Sequence, residues 1–281
     1  GETMTEHVRA DGDALGIRGA GVPGIVVGAA TDVGRLRAVN EDGYLAIVPA
    51  FVVVDGMGGH AAGRMATRAA LDALYSLAGT TVTDVEAVVR AVMAAQEAIV
   101  AIPSHAAYLP GATIAGVVLA WLEDEQGTTR PTWIIFNIGD ARVYLLRDGM
   151  LSQVTRDHSR VQILIEAGEL TPEQARRDPR RNIVTRALGG GIADSAIPDL
   201  YSVPVASGDR LLVCSDGLSD ELDDEGIATV LAAGYAAQRT AELLVGASLE
   251  GGGHDNTTAV VVDSTEVPVT APVDALAEGV R

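Results

Sequence analysis

Acidic residues stand at the ends of apolar runs along this chain. Asp55 follows Phe51-Val52-Val53-Val54 and precedes Gly56, while Asp216 follows Leu211-Leu212-Val213-Cys214-Ser215 and precedes Gly217. Asp140 lies behind Gly139 between two further apolar runs. Glu41-Asp42 lead directly into the run around Tyr44, and Asp255-Asn256 into Thr257 to Val262. Short runs of this kind read as strands, so the acids could converge at one rim of a sheet system. Carboxylates brought that close repel one another and cannot all ionise unless cations neutralise them. Oxygen ligands without a cysteine or histidine cluster favour Mg²⁺ or Mn²⁺ over Zn²⁺. The glycines after Asp55 and Asp216 let backbone approach a metal or its waters. Taken singly, an Asp-Gly pair after a strand is ordinary turn chemistry, and Asp148-Gly149 is read as a plain hairpin turn. The metal reading rests on the set.

The elements that must position these acids are strands in hairpin pairs with helices between the pairs. Strands are expected at 25–27, 44–48, 51–54, 114–121, 133–138, 141–146, 210–214 and 257–262. Helices are expected over 61–78, over 83–101 with Thr83 and Glu86 at capping-box spacing, from Thr171-Pro172-Glu173-Gln174, and over 236–248. This order predicts an α+β fold of antiparallel sheets covered by helices rather than a βαβ parallel sheet.

Composition narrows the function. The 281 residues carry 20 basic against 38 acidic side chains, a net charge of −18. Such a balance argues against a nucleic-acid partner, which needs clustered positive charge. Every basic residue is arginine, and the absence of lysine excludes a P-loop nucleotide site and a Schiff base. The single cysteine, Cys214, makes neither an intrachain disulfide nor a Cys-type zinc site, and reads as a packing residue. No apolar stretch reaches the ~18 residues of a membrane helix, and no signal peptide is visible, so a cytoplasmic setting is expected. Residues 1–22 and 264–281 read as flexible ends around one domain at 23–263.

In order, the motifs resemble those of the protein phosphatase 2C family, the metal-dependent PPM phosphatases, in the style of bacterial members. They are Gly34-Arg35-Leu36-Arg37-Ala38-Val39-Asn40-Glu41-Asp42, Val53-Val54-Asp55-Gly56-Met57-Gly58-Gly59-His60, Gly111-Ala112-Thr113 and Asn137-Ile138-Gly139-Asp140-Ala141-Arg142-Val143-Tyr144. Then follow Thr155-Arg156-Asp157-His158-Ser159, Asn182 to Gly189, Ser215-Asp216-Gly217-Leu218 and His254-Asp255-Asn256-Thr257.

The resemblance implies a central sandwich of two antiparallel β-sheets flanked by helix pairs (α-β-β-α), with two Mn²⁺ or Mg²⁺ ions in a cleft at one end. It implies that Asp55 bridges both ions, that Asp216 and Asp255 hold the first, and that Glu41 and the Gly56 carbonyl hold the second. Asp42 is implied to stand behind these ligands, and Asn256 to orient the Asp255 loop. Arg37 is implied to clamp the substrate phosphate through its planar fork. Asp140 and Asp216 are the implied ligands of the third ion often bound by bacterial members. The implied reaction is hydrolysis of phosphoserine and phosphothreonine by a hydroxide shared between two ions, attacking phosphorus in line. Implied partners are phosphorylated proteins and serine/threonine kinases.

Two positions depart from the family pattern. Met57 stands where many eukaryotic relatives place a histidine able to protonate the leaving oxygen; metal-bound water or His60 is left to take that part, and His60 otherwise reads as a structural residue. Gly63 is followed by Arg64 where bacterial relatives commonly have glutamate; Arg64 reads as a helix-surface change. Residues 160–191 match the family's mobile flap and carry Arg176, Arg177, Arg180, Arg181 and Arg186. This run reads either as a solvated face or as a docking surface for acidic substrates. Two other readings stay open: a catalytically inactive phosphatase-like binding domain, and a phosphatase of another substrate class.

Overall fold

The computed structural model describes residues 13–18, 22–59, 61–104, 107–192 and 197–269. His60 and the outer parts of the expected flexible ends lie outside the described residues. Within the segment expected to be loose, Asp13–Arg18 forms strand β1, paired parallel to β3 (Asp42–Ile47).

Strand β3 turns back into β4 (Ala50–Met57), which pairs with the long strand β5 (Gly111–Glu123) and, through it, with β6 (Thr129–Ile138). The two-residue β9 (Leu188–Gly189) joins the start of β5, and β10 (Asp199–Pro204) closes the far edge beside β6. The second sheet has the order β2 (Ile25–Asp32), β12 (Thr257–Ser264), β11 (Arg210–Cys214), β7 (Arg142–Arg147), β8 (Met150–Gln153). Apart from β1 with β3, every strand pair among the described residues is antiparallel.

Alternation along the strands builds three apolar layers. Phe51, Val53, Trp133 and Ile135 face Val143, Leu211, Val213 and Val260 between the sheets. Val52, Val54, Ile114 and Phe136 point the other way, onto α1 (Ala61–Leu74) and α2 (Val85–Val100). Leu212, Cys214 and Val261 cover α6 (Asp224–Leu231) and α7 (Ala237–Gly251) on the opposite flank. The result is the expected α-β-β-α order. Cys214 is a packing residue within it, and burial pushes its thiol up to about 12.

Local differences have local causes. Helix α2 is capped by Asp84 rather than Thr83, because the Asp84 carboxylate reaches the amide of Ala87 at 2.7 Å. The capping box at Thr171 forms and opens the single-turn α4 (Pro172–Ala175), which follows α3 (Arg160–Glu166) in the flap. Asp148 and Gly149 take φ of 52° and 75°, making the tight turn between β7 and β8.

Candidate metal centre

The acids meet where strands of both sheets end. Asp42 opens β3 and stands opposite Asp55 near the end of β4. Beyond β11 the chain passes through Ser215 into the four-residue helix α5 (Asp216–Ser219), whose first residue is Asp216. The Ser215 amide bonds the Thr258 carbonyl at 3.1 Å, which places Asp216 beside Asp255 and the start of β12.

Asp42 is the fastening between the two sheets. Its Oδ2 accepts from Ser215 Oγ at 2.8 Å and Thr258 Oγ1 at 2.7 Å, and Thr258 Oγ1 in turn lies 2.8 Å from Thr31 Oγ1. In the sequence Ser215 is only the motif residue before Asp216, and Thr258, three residues after Asp255, is not singled out. Asn256 does a similar task for the loop bearing Arg37. Its Oδ1 accepts from the Glu41 amide at 2.9 Å, and its Nδ2 donates to Val33 and Val39 carbonyls at 2.8 and 3.0 Å. The expected effect of Asn256 on its own loop thus extends to the backbone of Glu41.

Glu41 and Gly56 are adjacent. The Gly56 amide donates to the Glu41 carbonyl at 3.1 Å, and Thr67 Oγ1 donates to that carbonyl at 2.6 Å. The Glu41 side chain lies over Gly63, where a Cβ would fall 2.5 Å from Glu41 Oε1. Glycine at 63 therefore makes room for a carboxylate, and the neighbouring Arg64 points outward as an exposed residue of α1. Arg37 Nη2 donates to Asp255 Oδ2 at 3.1 Å, so the expected phosphate clamp rests on an expected ligand.

Charge crowding dominates the electrostatics. Burial first, then Asp42, Asp216 and Asp255, pushes Asp55 well above the usual carboxylate range. Burial raises Asp42 to about 6 against the hydrogen bonds from Thr258 and Ser215, and Asp255 adds to the rise. Asp216 also rises to about 6, through burial and through Asp255 and Asp42. Asp140 lies in the turn after β6, near Asp216; burial and then Asp216, Asp157 and Asp220 hold it well above its ordinary value. Asp220, not singled out in the sequence, is pushed up to about 7 by burial and by Asp216, against Arg142, Arg181 and Arg176. Its position four residues after Asp216, one helical turn away, was the available signal.

A cavity of about 680 Å³ opens beside Asp140, Asp216 and Asp220 and is lined on the flap side by Ala175, Arg176 and Arg181. Arg142 holds its other wall. It grips Asp157 with Nε at 2.9 Å and Nη2 at 2.7 Å, and donates from Nη1 to the Tyr144 hydroxyl at 2.8 Å.

The donor set suits hard divalent cations. Oδ1 of Asp42, Oδ1 of Asp216 and Oγ1 of Thr113 are buried oxygens with no hydrogen-bond partner, and Thr113 stands opposite Asp55 in the sheet. Among the described residues, no three acidic, histidine or cysteine side chains already converge at coordinating distance on one point. The carboxylates are close enough to raise one another's pKa, a charge crowding that a hard cation would neutralise.

The family model for protein phosphatase 2C matches residues 36–250. The chain belongs to the protein phosphatase 2C family. It is 38% identical over 240 residues to the serine/threonine protein phosphatase PstP of Mycobacterium tuberculosis, covering 84% of this chain and 44% of that protein. The chain thus spans less than half the length of this mycobacterial relative. Against the serine/threonine phosphatase stp of Listeria monocytogenes it is 32% identical over 246 residues, with 83% of this chain and 93% of the relative covered. The crystal structure of the PstP catalytic domain in complex with two manganese ions aligns at a TM-score of 0.72 and 35% identity, over 85% of this chain and 97% of that one. The α-β-β-α sandwich of this chain is therefore that of solved protein phosphatase 2C domains.

Proposed function

We propose that the chain is the catalytic domain of a protein phosphatase that hydrolyses phosphoserine and phosphothreonine with Mn²⁺ or Mg²⁺. The observation that carries the reading is the convergence of Asp42, Asp55, Asp216 and Asp255, whose mutual repulsion only bound cations or protons can relieve. Asp55, Asp216 and Asp255 would hold one ion, Asp55 with Glu41 and the Gly56 carbonyl the other, and Asp140 with Asp216 a third. When bound, the ions supply positive charge for the phosphoryl oxygens and a water made nucleophilic near neutral pH.

The remaining work falls to the chain itself. Asp42, held by Ser215 and Thr258, fixes the distance between the sheets and so between the ligands they carry. Asn256 holds Glu41 in register with the Asp255 loop. Arg37 exchanges its bond to Asp255 for the phosphate and then stabilises charge on the transferring group. Met57 has no proton to give the leaving oxygen, which leaves that task to a water or to His60. The domain takes in β1 (Asp13–Arg18) beside β3 as well as the expected 23–263, and runs to the end of β12 at Ser264, with the flap at 160–191 beside the cleft.

Phosphorylated proteins, and the kinases that phosphorylate them, are the partners this reading implies, in the cytoplasm. No helix among the described residues is long and apolar enough to cross a membrane. Hydrolysis of p-nitrophenyl phosphate tests the reading simply: chelator should abolish turnover and added Mn²⁺ should restore it. Full activity in chelator would remove the metal mechanism.

A further inference from the structure

The end of β4 carries more than Asp55. Residues two apart on a strand share a face, so Met57 points to the same side as Asp55, roughly 7 Å further along. Opposite Met57 stands Gly111, and the segment leading into it carries Tyr108 and Leu109, whose exposures are 64% and 41%. These side chains lie over backbone that has no side chain of its own. A Cβ on Gly59 would fall 3.6 Å from Tyr108 Cδ1, one on Gly191 2.6 Å from Leu109 Cδ1, and one on Gly190 2.7 Å from Met57 Cε. All three glycines have positive φ, a conformation that other residues rarely adopt. Two glycine loops thus lie beneath Met57, Tyr108 and Leu109, at the rim of a site otherwise lined by carboxylates and arginine.

We propose that Met57, Tyr108 and Leu109 form an apolar shelf that takes a substrate side chain close to the phosphoresidue. The enzyme would then favour phosphosites flanked by an apolar residue. The inference rests on the phosphatase reading above. The occupant is the substrate's own chain because the shelf continues the strand face that bears Asp55. An extended peptide advances about 3.3 Å per residue, so with its phosphate at Asp55 its next one or two side chains lie over Met57. Acidic flanks gain little here, because the shelf carries no positive charge and the centre is already crowded with negative charge.

Paired phosphothreonine peptides test this, identical except for leucine or the uncharged serine at the two positions on either side of the phosphothreonine. Phosphate release is measured with Mn²⁺, alongside p-nitrophenyl phosphate. The wild-type kcat/KM should be about tenfold higher for the leucine peptide, the range expected when one apolar side chain is seated. The double variant Tyr108→Ser with Leu109→Ser should bring that ratio close to one, mainly by raising KM for the leucine peptide. Turnover of p-nitrophenyl phosphate should stay within about twofold, as expected when a contact remote from the reacting phosphate is lost. Tyr108→Ala alone, at a largely exposed position, should move the ratio the same way and guards against misfolding of the double variant. A leucine preference that survives both variants overturns the shelf, as does a wild type that hydrolyses both peptides equally. A wild-type dimer that the substitutions dissociate in sedimentation would also overturn it, by giving the patch to a second copy. A wild type that hydrolyses neither peptides nor p-nitrophenyl phosphate instead removes the phosphatase reading, and the shelf with it.

Discussion

Arg37 and Asp255 form an ion pair, with Nη2 3.1 Å from Oδ2, across the mouth of the carboxylate cluster. Both side chains are partly exposed, so the pair itself contributes little to stability. Its meaning is positional: the guanidinium is parked on the carboxylate proposed as a ligand, within reach of an anion that a metal held there would bind. Arg37→Ala should therefore raise KM for a phosphopeptide by about tenfold or more, with a smaller fall in kcat. Arg37→Lys should recover only part of the loss, because an ammonium cannot match the planar fork. Steady-state kinetics on one phosphopeptide decide this, and an unchanged KM in Arg37→Ala would assign the phosphate to another group.

The raised carboxyls make metal binding and stability depend on pH together. Burial pushes Asp42 and Asp216 up to about 6 in the folded chain, against about 4 when unfolded. A group raised on folding adds stability below its unfolded value and loses it as pH rises through its folded value. The metal-free protein should accordingly lose this contribution between about pH 4 and 7. Bound cations need the ionised carboxylates, so the gain in Tm from saturating Mn²⁺ should grow over the same interval. His158, held below its ordinary value by burial, acts in the other direction, losing stability as pH falls. Taking the difference with and without Mn²⁺ cancels His158 and isolates the cluster. A Mn²⁺ gain in Tm that is flat from about pH 5 to 8 contradicts the electrostatics described here.

Asn256 is a buried link whose removal strands three backbone groups at once. Asn256→Ala leaves the Glu41 amide and the Val33 and Val39 carbonyls without their partner. A cost of about 1–3 kcal/mol follows, read as a fall of several degrees in Tm. Calorimetric titration should show weaker Mn²⁺ binding as well, because Glu41 loses its register with Asp255. Asn256→Asp keeps an acceptor for Glu41 but sets a carboxylate against two carbonyls, so it should not restore either property. Normal Mn²⁺ affinity in a destabilised Asn256→Ala protein would limit Asn256 to folding.

What the sequence made legible was the chemistry with regular spacing. The strand-end aspartates, the hairpins and the Thr171 capping box depend on local pattern, and each is where the pattern puts it. Long-range fastenings were not legible. Ser215 and Thr258 each look like ordinary polar residues, and only the approach of β11 and β12 to β3 turns them onto Asp42. Asp220 reads as one acid among several in Asp220 to Glu225 until α5 brings it beside Asp216. The flap arginines were legible as a cluster but not in their pairing, since charge composition says nothing about which side chain is already bonded.

That pairing changes what the flap arginines can be expected to do. Arg176 donates to the Ser219 and Asp220 carbonyls at 2.8 and 3.0 Å, tying the flap to the end of α5, the helix that begins with Asp216. Arg180 pairs with Asp178 at 2.8 Å, and Arg186 with Asp199 at 2.9 Å. Neutralising the whole cluster would mix these ties with any docking role, and Arg177 and Arg181, which line the cavity, are the better pair to test on acidic phosphoproteins. Arg176→Ala should speed amide hydrogen exchange across 160–183, whereas Arg180→Ala should leave it unchanged. Equal exchange in both variants would remove Arg176 as the tie.

The carboxylates gathered at Asp55 are proposed to bind the ions that make this domain a protein phosphatase. The most direct measurement is phosphate release from a phosphothreonine peptide, in chelator and then with Mn²⁺ restored, for wild type and for Asp55→Asn. The expected result is no release in chelator, full release by wild type with Mn²⁺, and at most a trace by Asp55→Asn folded to an unchanged circular dichroism spectrum. Near-normal release by Asp55→Asn with Mn²⁺, or by wild type in chelator, would contradict the account.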